Sequence, residues 1–145
     1  MMMRRVTHLG GARVTILAGL ALTAFGGAER RVGLAALAGN AFSHLLVQVL
    51  KRTVRRPRPC GPQGELLALI DLPDPFSFPS GHAAAAFAVA VPVAAHHPVF
   101  APAALALAAT VAWSRVALRV HWPGDALAGA ALGTLGAALA LLVIP

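Results

Sequence analysis

Apolar residues fall along the chain in five runs, at about 14–28, 32–50, 83–95, 99–113 and 126–144, separated by polar or proline-bearing breaks. Helices of about 20 apolar residues cross a bilayer, so the pattern predicts an all-α integral membrane helical bundle with about five transmembrane helices. The first, third and fourth runs reach only about 20–25 Å at roughly 1.5 Å per residue, so they must borrow flanking residues or pack inside the bundle. Glu29, Arg30 and Arg31 form a polar break that predicts a helical hairpin, rather than a cleaved leader after "MMMRR". Gly129, Gly133 and Gly136 recur through the last run, at a spacing that lets a neighbouring helix approach closely.

Between the second and third runs lies the one long polar segment, about residues 51–81, which holds Pro57, Pro59, Pro62, Pro73, Pro75 and Pro79. Six prolines exclude a long helix there. A loop of about 30 residues in so small a chain is expected to be functional.

Composition agrees with a membrane location. The 145 residues make a single domain over 1–145 and are 58% hydrophobic but only 12% charged, against a charged share of about a quarter in soluble domains; the mean hydropathy is +0.74. The formal charge of +7 comes from basic clusters at the ends of apolar runs, without aromatic interleaving. That distribution fits the lipid bilayer interface and not a nucleic-acid partner. A single cysteine, Cys60, excludes an intrachain disulfide and a cysteine-based zinc site.

Three polar clusters need an explanation, because charge beside membrane helices is costly. They are "KRTVRRPRP" with Lys51 and Arg58, "PSGH" with Ser80, Gly81 and His82, and "SRVALRVHWPGD" with Arg115, His121 and Asp125. Threading five spans through the bilayer brings all three to one face. Fixed cations, two histidines and a carboxylate suit a multiply charged oxyanion, and phosphate fits best: arginine offers paired donors and lysine a point charge. Ser80 and Gly81 stand at the start of a helix, where backbone N–H groups favour an anion. His121 and Asp125 are four apart, which puts them on one face if the chain turns helically despite Pro123; a carboxylate that holds one imidazole nitrogen leaves the other free to attack phosphorus. His82 is then the acid for the leaving oxygen.

Each residue also has a plainer reading. Ser80, His82 and Asp125 suit helix caps, and Arg58 and Arg115 suit headgroup contacts. Arg52, Arg55, Arg56 and Arg119 read as interface charges, His44 as a buried polar contact, and His96 and His97 as the polar end of the third run.

Taken together, Lys51 with Arg58-Pro59, Pro79-Ser80-Gly81-His82, and Ser114-Arg115 with His121 and Asp125 resemble K-x6-R-P, P-S-G-H and S-R-x5-H-x3-D, the signatures of the type 2 phosphatidic acid phosphatase superfamily. The resemblance covers about residues 51–132. It implies a lipid phosphatase without metal or other cofactor, acting on a membrane lipid phosphate through a phosphohistidine at His121, oriented by Asp125, with His82 as acid and Lys51, Arg58, Ser80, Gly81 and Arg115 binding phosphate. Membrane members commonly have six spans, against five runs here. Leaving aside the three motif cations, seven basic residues fall on the site's side and two, Arg30 and Arg31, on the other. The positive-inside rule therefore puts the site at the cytoplasmic face of a bacterial cell membrane, although many bacterial relatives face outward. The rival readings are a non-catalytic binder of lipid phosphates and a transporter or structural membrane protein.

Overall fold

A computed structural model of the chain describes residues 2–72 and 74–144, so Pro73 lies outside the described residues. The described chain is all helical: α1 (Met2–Thr7), a 3-10 turn (His8–Gly10), α2 (Ala12–Ala24), α3 (Gly27–Val54), α4 (Gly81–His96), a second 3-10 turn (Pro98–Phe100), α5 (Ala101–Ala117) and α6 (Pro123–Val143). The five apolar runs are thus five helical rods, in one membrane bundle.

Three of the rods are long and apolar enough to cross a bilayer by themselves: α3, the 20 residues Pro98–Ala117, and α6. A fourth span arises if Met2–Gly10 and Ala12–Ala24, bent by 54°, are taken as one. The remaining rod, α4, has 16 residues, about 24 Å, and sits at the centre against α3, α5 and α6. Its buried face is mostly alanine, including Ala83, Ala84, Ala86, Ala88 and Ala90, so neighbouring backbones come close. The same logic holds on α6, where a Cβ on Gly136 would lie 2.6 Å from the Gly39 carbonyl and one on Gly133 would enter the backbone of Ala84. Side chains at these positions would wedge the helices apart.

The hairpin corner differs from the sequence reading. Glu29–Arg31 already belong to the first turns of α3; the chain reverses at Gly26 and Gly27, both at positive φ (78° and 56°). Glycine takes this backbone region without a Cβ penalty, so the glycine pair makes the corner and the charges begin the helix.

α3 ends, α4 begins, α5 ends and α6 begins at the same end of the bundle. Residues 55–72 and 74–80 fold across that end. Ser77 N–H donates to Arg56 O (2.9 Å), Leu69 N–H to Leu118 O (3.1 Å) and Ser80 N–H to Asp125 O (2.9 Å), which ties the loop to α5 and α6 and roofs the convergence of the three polar clusters.

Candidate active site

The helix ends and the loop enclose a cavity of about 270 Å³ lined by Lys51, Arg58, Gly81, His82, Arg115 and His121, together with Asp74 and a strip of α3. Six of the eight residues singled out in the sequence therefore meet at one cavity. The other two, Ser80 and Asp125, are fully buried behind it. Ser80 caps α4, its Oγ accepting from Ala83 N–H (3.4 Å), so its side chain shapes the first turn whose Gly81 faces the cavity.

His121 precedes α6 and is almost fully buried. Its Nδ1 lies 2.6 Å from the carbonyl of Ser77, against 3.7 Å from Asp125 Oδ2. A carbonyl oxygen can only accept, so Nδ1 carries the proton and Nε2 keeps the lone pair. The Ser77 carbonyl is thus the nearer partner of Nδ1, and Asp125, singled out by the four-residue spacing, stands beside it within ion-pair distance. Asp125 stands at the third position of α6 and is occupied by the N–H of Trp122 (2.8 Å) and by Arg56 Nη1 (3.0 Å). It acts on His121 as a nearby negative charge. Burial, and then the charges of Arg115, Arg58 and Lys51, push the imidazole pKa down against the opposing pull of Asp125, which favours the neutral ring.

Arg115 is buried at the end of α5. Its Nη1 donates to Thr7 Oγ1 of α1 (2.5 Å), and its Nε is the buried side-chain nitrogen left without a hydrogen-bond partner among the described residues. An unpaired buried donor on a cation is expensive. On a cavity wall it is a donor that an acceptor in the cavity could satisfy.

The other two cations share Asp74. Lys51 Nζ donates to Asp74 Oδ1 (3.0 Å) and Oδ2 (3.2 Å) and to Phe76 O (2.7 Å). Arg58 reaches Asp74 Oδ1 through Nη2 (3.1 Å), Asp74 O through Nε (2.9 Å) and Val120 O through Nη1 (2.8 Å). Burial by itself would raise the Asp74 carboxyl, but the hydrogen bond and charge of Lys51 and the charge of Arg58 outweigh it and hold the pKa below the ordinary range. The sequence reading missed Asp74, and its only signal there is a carboxylate in the proline-rich loop.

Two more residues depart from their sequence reading. Arg56, expected at the lipid interface, instead pairs with Asp125 and lies over the Trp122 ring at 5.6 Å. His44, expected as a buried polar contact, is exposed and lines the cavity. His96 and His97 do end α4, and His97 Nε2 approaches Glu29 at 3.8 Å.

A helical membrane bundle with a cationic, two-histidine cavity at one end defines a class of integral membrane proteins. The chain belongs to the PAP2 superfamily, whose sequence model matches residues 32–145. It is 38% identical over 110 residues to a decaprenylphosphoryl-5-phosphoribose phosphatase of Mycobacterium tuberculosis, a match that covers 75% of this chain and 60% of that protein. The chain thus spans about 60% of the length of the curated relatives from that organism. A transmembrane PAP2-type phosphatidylglycerolphosphate phosphatase from Bacillus subtilis superposes with a TM-score of 0.78 at 30% identity, over 96% of this chain and 73% of that one. LpxE from Aquifex aeolicus shares the fold, with a TM-score of 0.83 at 23% identity over 97% and 84% of the two chains.

Proposed function

We propose that the protein is a membrane lipid phosphatase that removes a terminal phosphate by two in-line displacements at His121. The observation that carries this reading is the lone pair on His121 Nε2, fixed by the Ser77 carbonyl, in a cavity where Arg115 holds an unpaired N–H. In the first step Nε2 attacks phosphorus as the P–O bond to the lipid breaks, and His82 gives its proton to the leaving oxygen. In the second, His82 takes a proton from water, the water oxygen attacks phosphorus, and the P–N bond breaks to release phosphate and restore neutral His121. Arg115, Lys51 and Arg58 offset the charge on the transferring phosphoryl oxygens, and the amides of the first turn of α4 add donors.

The substrate is a lipid that enters from the bilayer with its tails in hydrocarbon and its headgroup in the cavity. Phosphatidic acid, phosphatidylglycerophosphate, polyprenyl phosphates or diphosphates and polyprenyl-phosphate sugar phosphates all carry the group the motif residues bind. The positive-inside bias puts the site at the cytoplasmic face of a bacterial cell membrane. The test is phosphate release by purified protein in detergent, with EDTA present, from a panel of these lipids. His121→Ala abolishes turnover and still binds vanadate. Wild-type rates in that variant would sink the mechanism, and vanadate binding without turnover by the wild type would favour a non-catalytic binder.

A further inference from the structure

The three polar clusters of the site all lie at Lys51 or beyond, yet the beginning of the chain completes the cavity. Gly10 and Ala12 line it beside His82 and Arg115. The bend of 54° between Met2–Gly10 and Ala12–Ala24 seats the first 3-10 turn on α4 and α5. Along this segment Arg4, Arg5, His8 and Leu9 are exposed, whereas Thr7 and Gly10 are buried; they are three apart and so share one face of the turn. Val6 adds an apolar anchor against Ala86, Ala90, Ala108 and Val111.

Both buried positions meet a residue assigned to the reaction. Thr7 Oγ1 accepts from Arg115 Nη1. Gly10 packs on the main chain of His82: a Cβ on Gly10 would lie 2.8 Å from His82 O, 3.3 Å from His82 Cβ and 2.5 Å from Val111 Cγ1. The φ of Gly10 is not positive, so the absence of a side chain serves this close approach and not the shape of the turn.

The two histidines are therefore held in different ways. His121 is held through its ring, by the Ser77 carbonyl and the charge of Asp125. His82 is placed through its main chain, in a first turn capped by Ser80 and backed by Gly10. A carbon added at Gly10 has to push the His82 carbonyl, and with it the first turn of α4, away from its place. An imidazole on a displaced backbone no longer meets the leaving oxygen within hydrogen-bond reach, which general acid catalysis requires.

We infer that Gly10 is a positioning residue for His82, and that residues 7–10 belong to the active site as the wall that holds both the proton donor and Arg115 in place. This rests on the phosphatase reading and adds residues to it. The two attachments differ in their kinetic signature. Loss of the Thr7 hydrogen bond loosens phosphate binding for every substrate, whereas displacement of His82 slows cleavage only where the leaving oxygen needs a proton.

The experiment measures kcat/KM of purified wild type and variants in detergent on two kinds of ester. Phosphatidic acid and phosphatidylglycerophosphate have alkoxides that leave only with a proton; nitrophenyl phosphate has a phenolate that leaves without one. The ratio kcat/KM covers the steps up to the first P–O cleavage, so the later attack of water does not enter the comparison. Gly10→Ala lowers kcat/KM on the faster lipid by about a hundredfold and on nitrophenyl phosphate by less than about threefold. Gly11→Ala, whose Cβ would meet the His8 carbonyl at 3.0 Å and no part of α4, changes neither by more than about threefold. Gly10→Ala combined with Val111→Ala relieves the clash with the valine side chain and keeps the one with His82 O, so the same split is read from the double variant if the single one fails to fold. An equal loss on both kinds of ester, or no loss on either, would overturn the placement of His82 by Gly10 and leave the phosphatase reading intact. Absence of phosphate release from every ester by the wild type would overturn both.

Discussion

Lys51 Nζ sits 3.0 Å from Asp74 Oδ1, and the same oxygen takes Arg58 Nη2 at 3.1 Å. One carboxylate from the loop therefore holds two cations of the site together, where a phosphoryl oxygen would use the same donors. Asp74→Asn leaves both cations short of a counter-charge and lowers stability by about 1–3 kcal/mol at pH 7, a value reduced from that of a fully buried pair because Asp74 is partly exposed. Its pKa is depressed in the folded protein, so its stabilisation is present above the unfolded value of about 3.9 and is lost as pH falls through the folded value. Thermal unfolding in detergent should show a gap between wild type and variant at pH 7 that narrows below about pH 4. Added phosphate should raise the melting temperature of the variant more than that of the wild type; an equal rise would mean that Asp74 and phosphate do not share donors.

Thr7 belongs to α1, more than a hundred residues from Arg115 in sequence, yet it is the hydrogen-bond partner of Arg115 Nη1. Thr7→Val keeps the shape of the side chain and removes the acceptor. We expect KM to rise by about tenfold with a smaller change in kcat, since one hydrogen bond to a charged group is lost and the guanidinium becomes free to turn. Steady-state kinetics on the best lipid would decide it, and an unchanged KM would show that α1 does not hold the arginine in place.

Arg56 neutralises the buried carboxylate of Asp125 from a half-exposed position. Arg56→Ala should cost about 1 kcal/mol, because Asp125 keeps the Trp122 N–H and water replaces part of the lost charge. If Asp125 acts on His121 by charge, removing its competing cation strengthens its hold on the imidazolium. The His121 pKa, followed by NMR of labelled histidine, should then rise relative to wild type. A fall would contradict the electrostatic role given to Asp125.

Gly133 meets the backbone of Ala84, whereas Leu127 on the same helix is 72% exposed. Gly133→Leu should prevent recovery of a monodisperse protein in detergent, and Leu127→Ala should leave the elution profile and melting temperature within error of wild type. Similar behaviour of the two variants would mean that the α4–α6 contact is not close-packed.

Much of this architecture was legible in the chain itself. Runs of apolar residues set five helical rods because backbone groups in hydrocarbon must be satisfied within the segment, and their alternation puts Lys51, His82, Arg115 and His121 at one end whatever the packing details. The motif residues could be named because their types and spacings carry the chemistry of phosphate. What the linear pattern did not hold were partners supplied by distant or backbone atoms: the Ser77 carbonyl on His121, Thr7 on Arg115, Asp74 between Lys51 and Arg58, and Arg56 on Asp125. A backbone carbonyl has no residue type to recognise, and a loop carboxylate or arginine reads as solvent-facing until the loop is folded over the bundle. Which face of α3 lines the cavity was likewise decided by packing, since the placement of Asn40, His44 and Gln48 depends on how α3 is rotated against α2 and α4. The polar residues that line the cavity thus follow from sequence, while the hydrogen bonds that orient them exist only once the helices have packed.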